Sequence, residues 1–172
     1  ATGSGSVTIT ARTPTALTAS GTVSWPVQAG PPATITATSP LTQNAVVNTA
    51  AAQAPTVQVK DAGGLGVANA TVTFAVTSGG GSVTGGTQTT NAQGLATVGS
   101  WILGQTAGPN TLTATVAQLP AVSFSATGTA GAAAVVTKFS GDNQAGSANI
   151  ALGSPLVVQV NDQFGNPVNN VT

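Results

Sequence analysis

Val57-Gln58-Val59-Lys60-Asp61, with Gly64, Val67 and Asn69 after it, returns 101 residues later as Val158-Gln159-Val160-Asn161-Asp162, with Gly165, Val168 and Asn170 after it. At the same offset Gly30 aligns with Gly131, Ala33 with Ala134, Ile35 with Val136, Thr36 with Thr137 and Ser39 with Ser140. A repeat of about 100 residues has the size of one β-sandwich domain and is too long for a solenoid unit. Further upstream, SVTITA (6–11) matches NTLTATV (110–116) at a similar offset. The repeat divides the chain into three pieces. Residues 1–30 read as the C-terminal strands of a partial domain, 31–130 as a complete domain, and 131–172 as the N-terminal strands of a further, incomplete one.

Within 31–130, short alternating runs separated by turn signals predict seven strands, near 33–38, 55–61, 69–77, 82–90, 94–102, 110–117 and 121–129. In the third, Val72, Phe74 and Val76 share one face while Thr71, Thr73 and Thr77 share the other. Leu112, Ala114 and Val116 alternate in the same way with Thr111, Thr113 and Thr115. Period two with a threonine outer face is the half-buried strand of an antiparallel sheet. Turns are expected at 62–64, 78–81, 91–94 and 107–110, where Gly, Pro and Asn gather.

Composition agrees and removes most chemistry. Among 172 residues there are six formal charges and no His, Cys, Met, Glu or Tyr. Without His or Cys there is no imidazole base, no thiolate nucleophile and no nitrogen–sulfur metal site. A triad serine has no base to activate it. Three cations cannot build a basic face for phosphates, so nucleic acid is not an expected partner. No apolar run is long enough to span a bilayer, and the first residues show no basic and apolar leader. The 29 threonines, 22 glycines and 10 prolines, set beside so few Glu, Lys and Arg, favour strands and turns over helices. An almost uncharged surface is either hydrated through hydroxyls and amides or covered in an assembly.

The segments VQVKDAGGLGVANATVTF (57–74), QGLATVGSWILGQTAGPNTLTATV (93–116) and VVQVNDQFGNPVNNVT (157–172) resemble the bacterial immunoglobulin-like domains of the invasin/intimin group. In that group a strand ends in Asp, a Gly-Asn-Pro-Val turn follows, and the next strand carries Val-x-Phe. Asp162, Gly165, Asn166, Pro167 and Val168 match the pattern; the first copy departs from it with Leu65-Gly66. The resemblance implies an all-β fold of immunoglobulin-like antiparallel β-sandwich domains in tandem, used in extracytoplasmic rods, adhesin stalks or envelope scaffolds at the cell surface.

Three residues stand out as candidates. Asp61 and Asp162 are one position seen twice. As Ca²⁺ ligands they lack the further carboxylates that a six- to eight-oxygen shell draws on, so a turn aspartate accepting backbone N–H groups is the favoured role. Trp25, beside Pro26 and Val27, is the candidate for an exposed aromatic that stacks on a sugar, whereas Trp101, beside Ile102 and Leu103, is expected in the core. The run Ser78-Gly79-Gly80-Gly81-Ser82 has the glycines of a phosphate loop but no following Lys-Ser/Thr or helix, and reads as a hairpin loop.

These features favour a non-catalytic structural protein with no cofactor. Its expected partners are neighbouring immunoglobulin-like domains or other protein subunits, up to assembly into a larger complex or filament. An extrinsic subunit bracing a membrane or envelope complex is the second reading, and a carbohydrate-binding module the third.

Overall fold

The computed structural model describes the backbone of residues 3–12 and 18–171 and the side chains of residues 6–8 and 27–171. All regular structure among them is strand. β1 (Gly3–Arg12) and β2 (Thr18–Val27) form an antiparallel hairpin in continuous register from Gly3↔Val27 to Arg12↔Thr18.

Ten strands follow: β3 (Thr34–Ala37), β4 (Thr42–Val46), β5 (Thr56–Lys60), β6 (Thr71–Ser78), β7 (Ser82–Thr84), β8 (Thr87–Thr89), β9 (Leu95–Thr97), β10 (Ser100–Ile102), β11 (Gly108–Thr115) and β12 (Val122–Thr129). One sheet has the order β4-β12-β11-β6-β8; opposite it stand β3-β5-β9 and the pair β10-β7. The core lies between them. Val57 and Val59 of β5 meet Val72 and Phe74 of β6, Leu112 and Ala114 of β11, and Phe124 and Ala126 of β12, closed by Val98, Trp101 and Leu103. Threonines 71, 73 and 77 are exposed, as the alternation predicts, and Trp101 is buried.

The structure departs from the sequence reading in four places. The run 82–90 is two strands, β7 pairing with β10 and β8 with β6, and the chain changes sheet at Gly85 and Gly86. The run 94–102 also divides, β9 pairing with β5 and β10 with β7, around Gly99. A side chain at Gly99 would put its Cβ 2.7 Å from the Thr84 hydroxyl, so only glycine allows this crossing. β4 was not expected. It runs parallel to β12, from Thr42↔Ser125 to Val46↔Thr129, and its Thr-Gln-Asn-Ala-Val sequence lacks an apolar stripe. The loop 79–81 is no hairpin, since β6 and β7 lie in different sheets.

β13 (Val135–Ser140) and β14 (Val157–Asn161) form a second antiparallel hairpin. It repeats the β3–β5 pairing from Thr34↔Lys60 to Ala37↔Val57 as Val135↔Asn161 to Lys138↔Val158, and then shifts register at Ser140. Ala33 N–H reaches Lys60 C=O and Ala134 N–H reaches Asn161 C=O, both at 2.8 Å. Gln43 clamps the backbone of Gln53 through two bonds, and Gln144 clamps Ser154 in the same way. Asn48 and Asn149, and Asn69 and Asn170, take the left-handed conformation in pairs, as do Gly64 and Gly165. The counterparts of β6, β11 and β12 are absent from 131–171, so Val158 is 61% exposed whereas its equivalent Val57 is fully buried.

Candidate functional site

Both copies of the repeat carry a bond from a linker glycine N–H to the aspartate that follows the repeated strand. In the first, Asp61 directly follows β5, and the chain turns so that Gly64 N–H bonds to Asp61 C=O and Asp61 N–H to Leu65 C=O. This turn aims the Asp61 carboxylate inward. Its Oδ1 accepts from Leu65 N–H at 2.8 Å, while Oδ2 accepts from Gly30 N–H, also at 2.8 Å. Gly30 lies in the link between β2 and β3, so one carboxylate ties the link to the turn that follows β5. The N–H donors of Gly30 and Leu65 lead in holding the Asp61 carboxyl below its ordinary range, against an opposing effect of burial.

The second joint repeats this and adds to it. Asp162 Oδ2 accepts from Gly131 N–H at 2.9 Å, and Oδ1 accepts from Phe164 N–H at 2.8 Å and Asn166 N–H at 2.9 Å. The Asn166 amide also donates to Oδ2 at 2.9 Å. Burial of the Asp162 carboxyl favours its neutral form, but the Asn166 amide and the N–H groups of Gly131, Asn166 and Phe164 outweigh it and hold the carboxyl at about 2.

Asn166 then crosses the joint. Its Oδ1 accepts from Ala107 N–H at 2.7 Å, and its Nδ2 donates to Gln105 C=O at 2.8 Å. Both belong to the loop that leads into β11 of the middle unit. The side-chain amide thus uses its oxygen and both its hydrogens, while 6% exposed. The first copy has Leu65 at this position, which offers no such polar atoms. Beside Asp162, a cleft of about 330 Å³ lies between Val46–Thr49 and Gly131–Ala134 and Asp162–Phe164.

Asp61 and Asp162 are therefore each occupied by backbone donors, the role favoured for them as turn aspartates. Among the described residues no three His, Cys, Asp or Glu side chains gather. Trp25 stands opposite Gly5 in the β1–β2 register, and its side chain lies outside the described residues. Lys138 forms an exposed ion pair with Asp142. Among the described residues no helix is long and apolar enough to cross a membrane. Gly30 and Gly131 align in the repeat, and nothing local in the sequence marks their role. Asn166 matches the family-like turn, and its partners Ala107 and Gln105 stand 59 and 61 residues earlier, beyond the reach of a local pattern.

The sandwich and its repeated opening strands make this an all-β, immunoglobulin-like protein. No family model and no curated protein matches the sequence. Among solved structures, FdeC, an Escherichia coli adhesin, superposes with a TM-score of 0.53 at 16% identity, over 86% of this chain and 47% of its own. InvD of Yersinia pseudotuberculosis superposes with a TM-score of 0.51 at 15% identity, over 97% of this chain and 52% of its own. The D0–D1 fragment of intimin matches 71% of this chain and 63% of its own at 28% identity, with a TM-score of 0.39. The chain spans about half the length of FdeC and InvD, and at these identities the first two establish a shared fold.

Proposed function

We propose that this chain is a stretch of tandem immunoglobulin-like domains that serves as a non-catalytic stalk or scaffold outside the cytoplasm, divided at residues 1–30, 31–130 and 131–172. The carrying observation is the link made twice, Gly30 to Asp61 and Gly131 to Asp162. An adhesin of the same fold gives the reading its setting. Mechanism here means spacing and stiffness. Each joint is short, and a buried or nearly buried carboxylate fixes how the link enters the next unit, which suits domains spaced along a line. The partners are neighbouring domains of the same kind.

Small-angle scattering on the whole chain tests this. An elongated profile supports the stalk, and a compact globule overturns it.

A further inference from the structure

We propose that Asn166 is a latch that locks the joint between residues 31–130 and 131–171, and that the residue at this repeat position sets the stiffness of each joint. The inference rests on the stalk reading for its purpose, though not for its geometry. Asp162 by itself cannot lock the joint. Its bonds run to Gly131 in the link and to Phe164 and Asn166 within its own turn, so they fix how the link enters the third unit and leave the middle unit untouched. Asn166 supplies the missing connection. Its amide pairs with the C=O of Gln105 and the N–H of Ala107, as an adjacent strand would, and so attaches the turn to backbone 59 to 61 residues earlier.

Three properties suit it to this task. The amide is anchored at its base, since Nδ2 also bonds to Asp162 Oδ2. It is almost fully shielded from water, which would otherwise compete for both bonds. Its partners are main-chain groups of the loop that packs under Asn48 and Thr49, through Asn48 N–H to Gly104 C=O and Leu103 N–H to Thr49 C=O, so the latch closes on a braced surface. Leu65 holds the same backbone place in the first copy, with the same bond from its N–H to the aspartate, and has no atoms to make the cross-joint pair. The position therefore separates two jobs. Its backbone builds the turn in both copies, and its side chain decides whether the joint is fastened by hydrogen bonds.

The test uses the whole chain, whose lack of cysteine allows clean labelling. Ser123→Cys and Thr137→Cys place spin labels on exposed positions of β12 and β13, either side of the joint. The unmodified joint is expected to give a narrow distance distribution, and Asn166→Leu a broader one. In the same variant, hydrogen exchange at the Ala107 amide should accelerate several-fold, as one lost hydrogen bond implies. Exchange at the Val168 amide, bonded to Val160 within the third unit, should stay as it was. Gln105→Ala should change neither distribution nor exchange, because only the Gln105 carbonyl is used. An unchanged width and an unchanged Ala107 amide in Asn166→Leu would overturn the latch. Loss of Val168 protection would overturn it too, showing that Asn166 folds its own unit. A compact scattering profile would remove the stalk reading alone, since Ala107 exchange reports the bond itself.

Discussion

The backbone N–H of Gly131 donates to Asp162 Oδ2 at 2.9 Å, as Gly30 does to Asp61 Oδ2 at 2.8 Å, in each case across 31 residues. What the link requires is the N–H group rather than the absence of a side chain. A Cβ added at Gly131 would meet Asp162 Oδ2 at 3.6 Å and Val46 Cγ1 at 3.8 Å, which is ordinary contact. The aspartate, in contrast, has no substitute here. Its two oxygens serve the link and the turn together, and a neutral amide would offer one acceptor where two are used.

The first prediction concerns acid. The Asp162 carboxyl ionises at about 2 in the folded chain, below the ordinary carboxylate value. A depressed folded value means that the stability it contributes is fully present above pH ~4 and is lost as pH falls towards 2. Thermal melts between pH 7 and 2 should show this loss. In Asp162→Asn the neutral-pH melting temperature should be lower, and the decline below pH ~4 shallower. An identical decline in both proteins would show that other groups govern acid unfolding.

Thr90 supplies the second. It is buried, its hydroxyl donates to Val67 C=O at 2.6 Å, and it accepts from Ala70 N–H at 2.8 Å. Thr90→Val keeps the shape and leaves both backbone groups without that partner. Such orphaned groups cost about 1–3 kcal/mol. Thr73→Val, on the exposed face of β6, should stay within about 0.5 kcal/mol of the parent. Urea unfolding of the two variants side by side gives the comparison.

A third prediction separates backbone strain from crowding. Gly64 and Gly94 both have positive φ, 83° and 76°. A Cβ at Gly64 meets nothing, whereas one at Gly94 would lie 2.2 Å from Val59 C=O. Gly64→Ala should therefore lose only the conformational cost of about 1–2 kcal/mol. Gly94→Ala should lose about 1–3 kcal/mol more, because β5 must shift to admit the methyl group. Equal losses in denaturant titrations would refute the assignment of a steric role to Gly94.

Much of the fold was legible because its signals are local. The alternation in 69–77 and 110–117 marks β6 and β11 and their buried faces, and the offset of 101 marks the repeated turn. β4 was not legible, since its Gln43 and Ala45 are only half-buried and its pairing with β12 lies more than 80 residues away. The breaks at Gly85, Gly86 and Gly99 look like ordinary strand glycines until the neighbouring sheet is in view. At the joints, the turn role of Asp61 and Asp162 was legible from residue type. The bonds from Gly30 and Gly131, and the reach of Asn166 to Gln105 and Ala107, depend on how units abut, and no local pattern encodes that.

The last prediction tests the two faces of a single strand. Leu112 of β11 is fully buried among Phe124, Phe74 and the valines of β5, and Thr113, its neighbour, points outward. Replacing a core leucine by alanine removes its transfer free energy and leaves a cavity that neighbours fill only in part, a loss of about 2–5 kcal/mol. The site favours the upper half of that range. Leu112 pairs with Phe124 on one side and Val76 on the other, and both are fixed by their own ladders, so collapse into the space is restricted. Thr113→Ala removes only a hydroxyl that bonds Ala75 C=O at 3.5 Å, and should cost under about 0.5 kcal/mol. If the two variants unfold at similar denaturant concentrations, the alternation assigned to β11 is wrong, and with it the register that seats the 105–107 loop under Asn166.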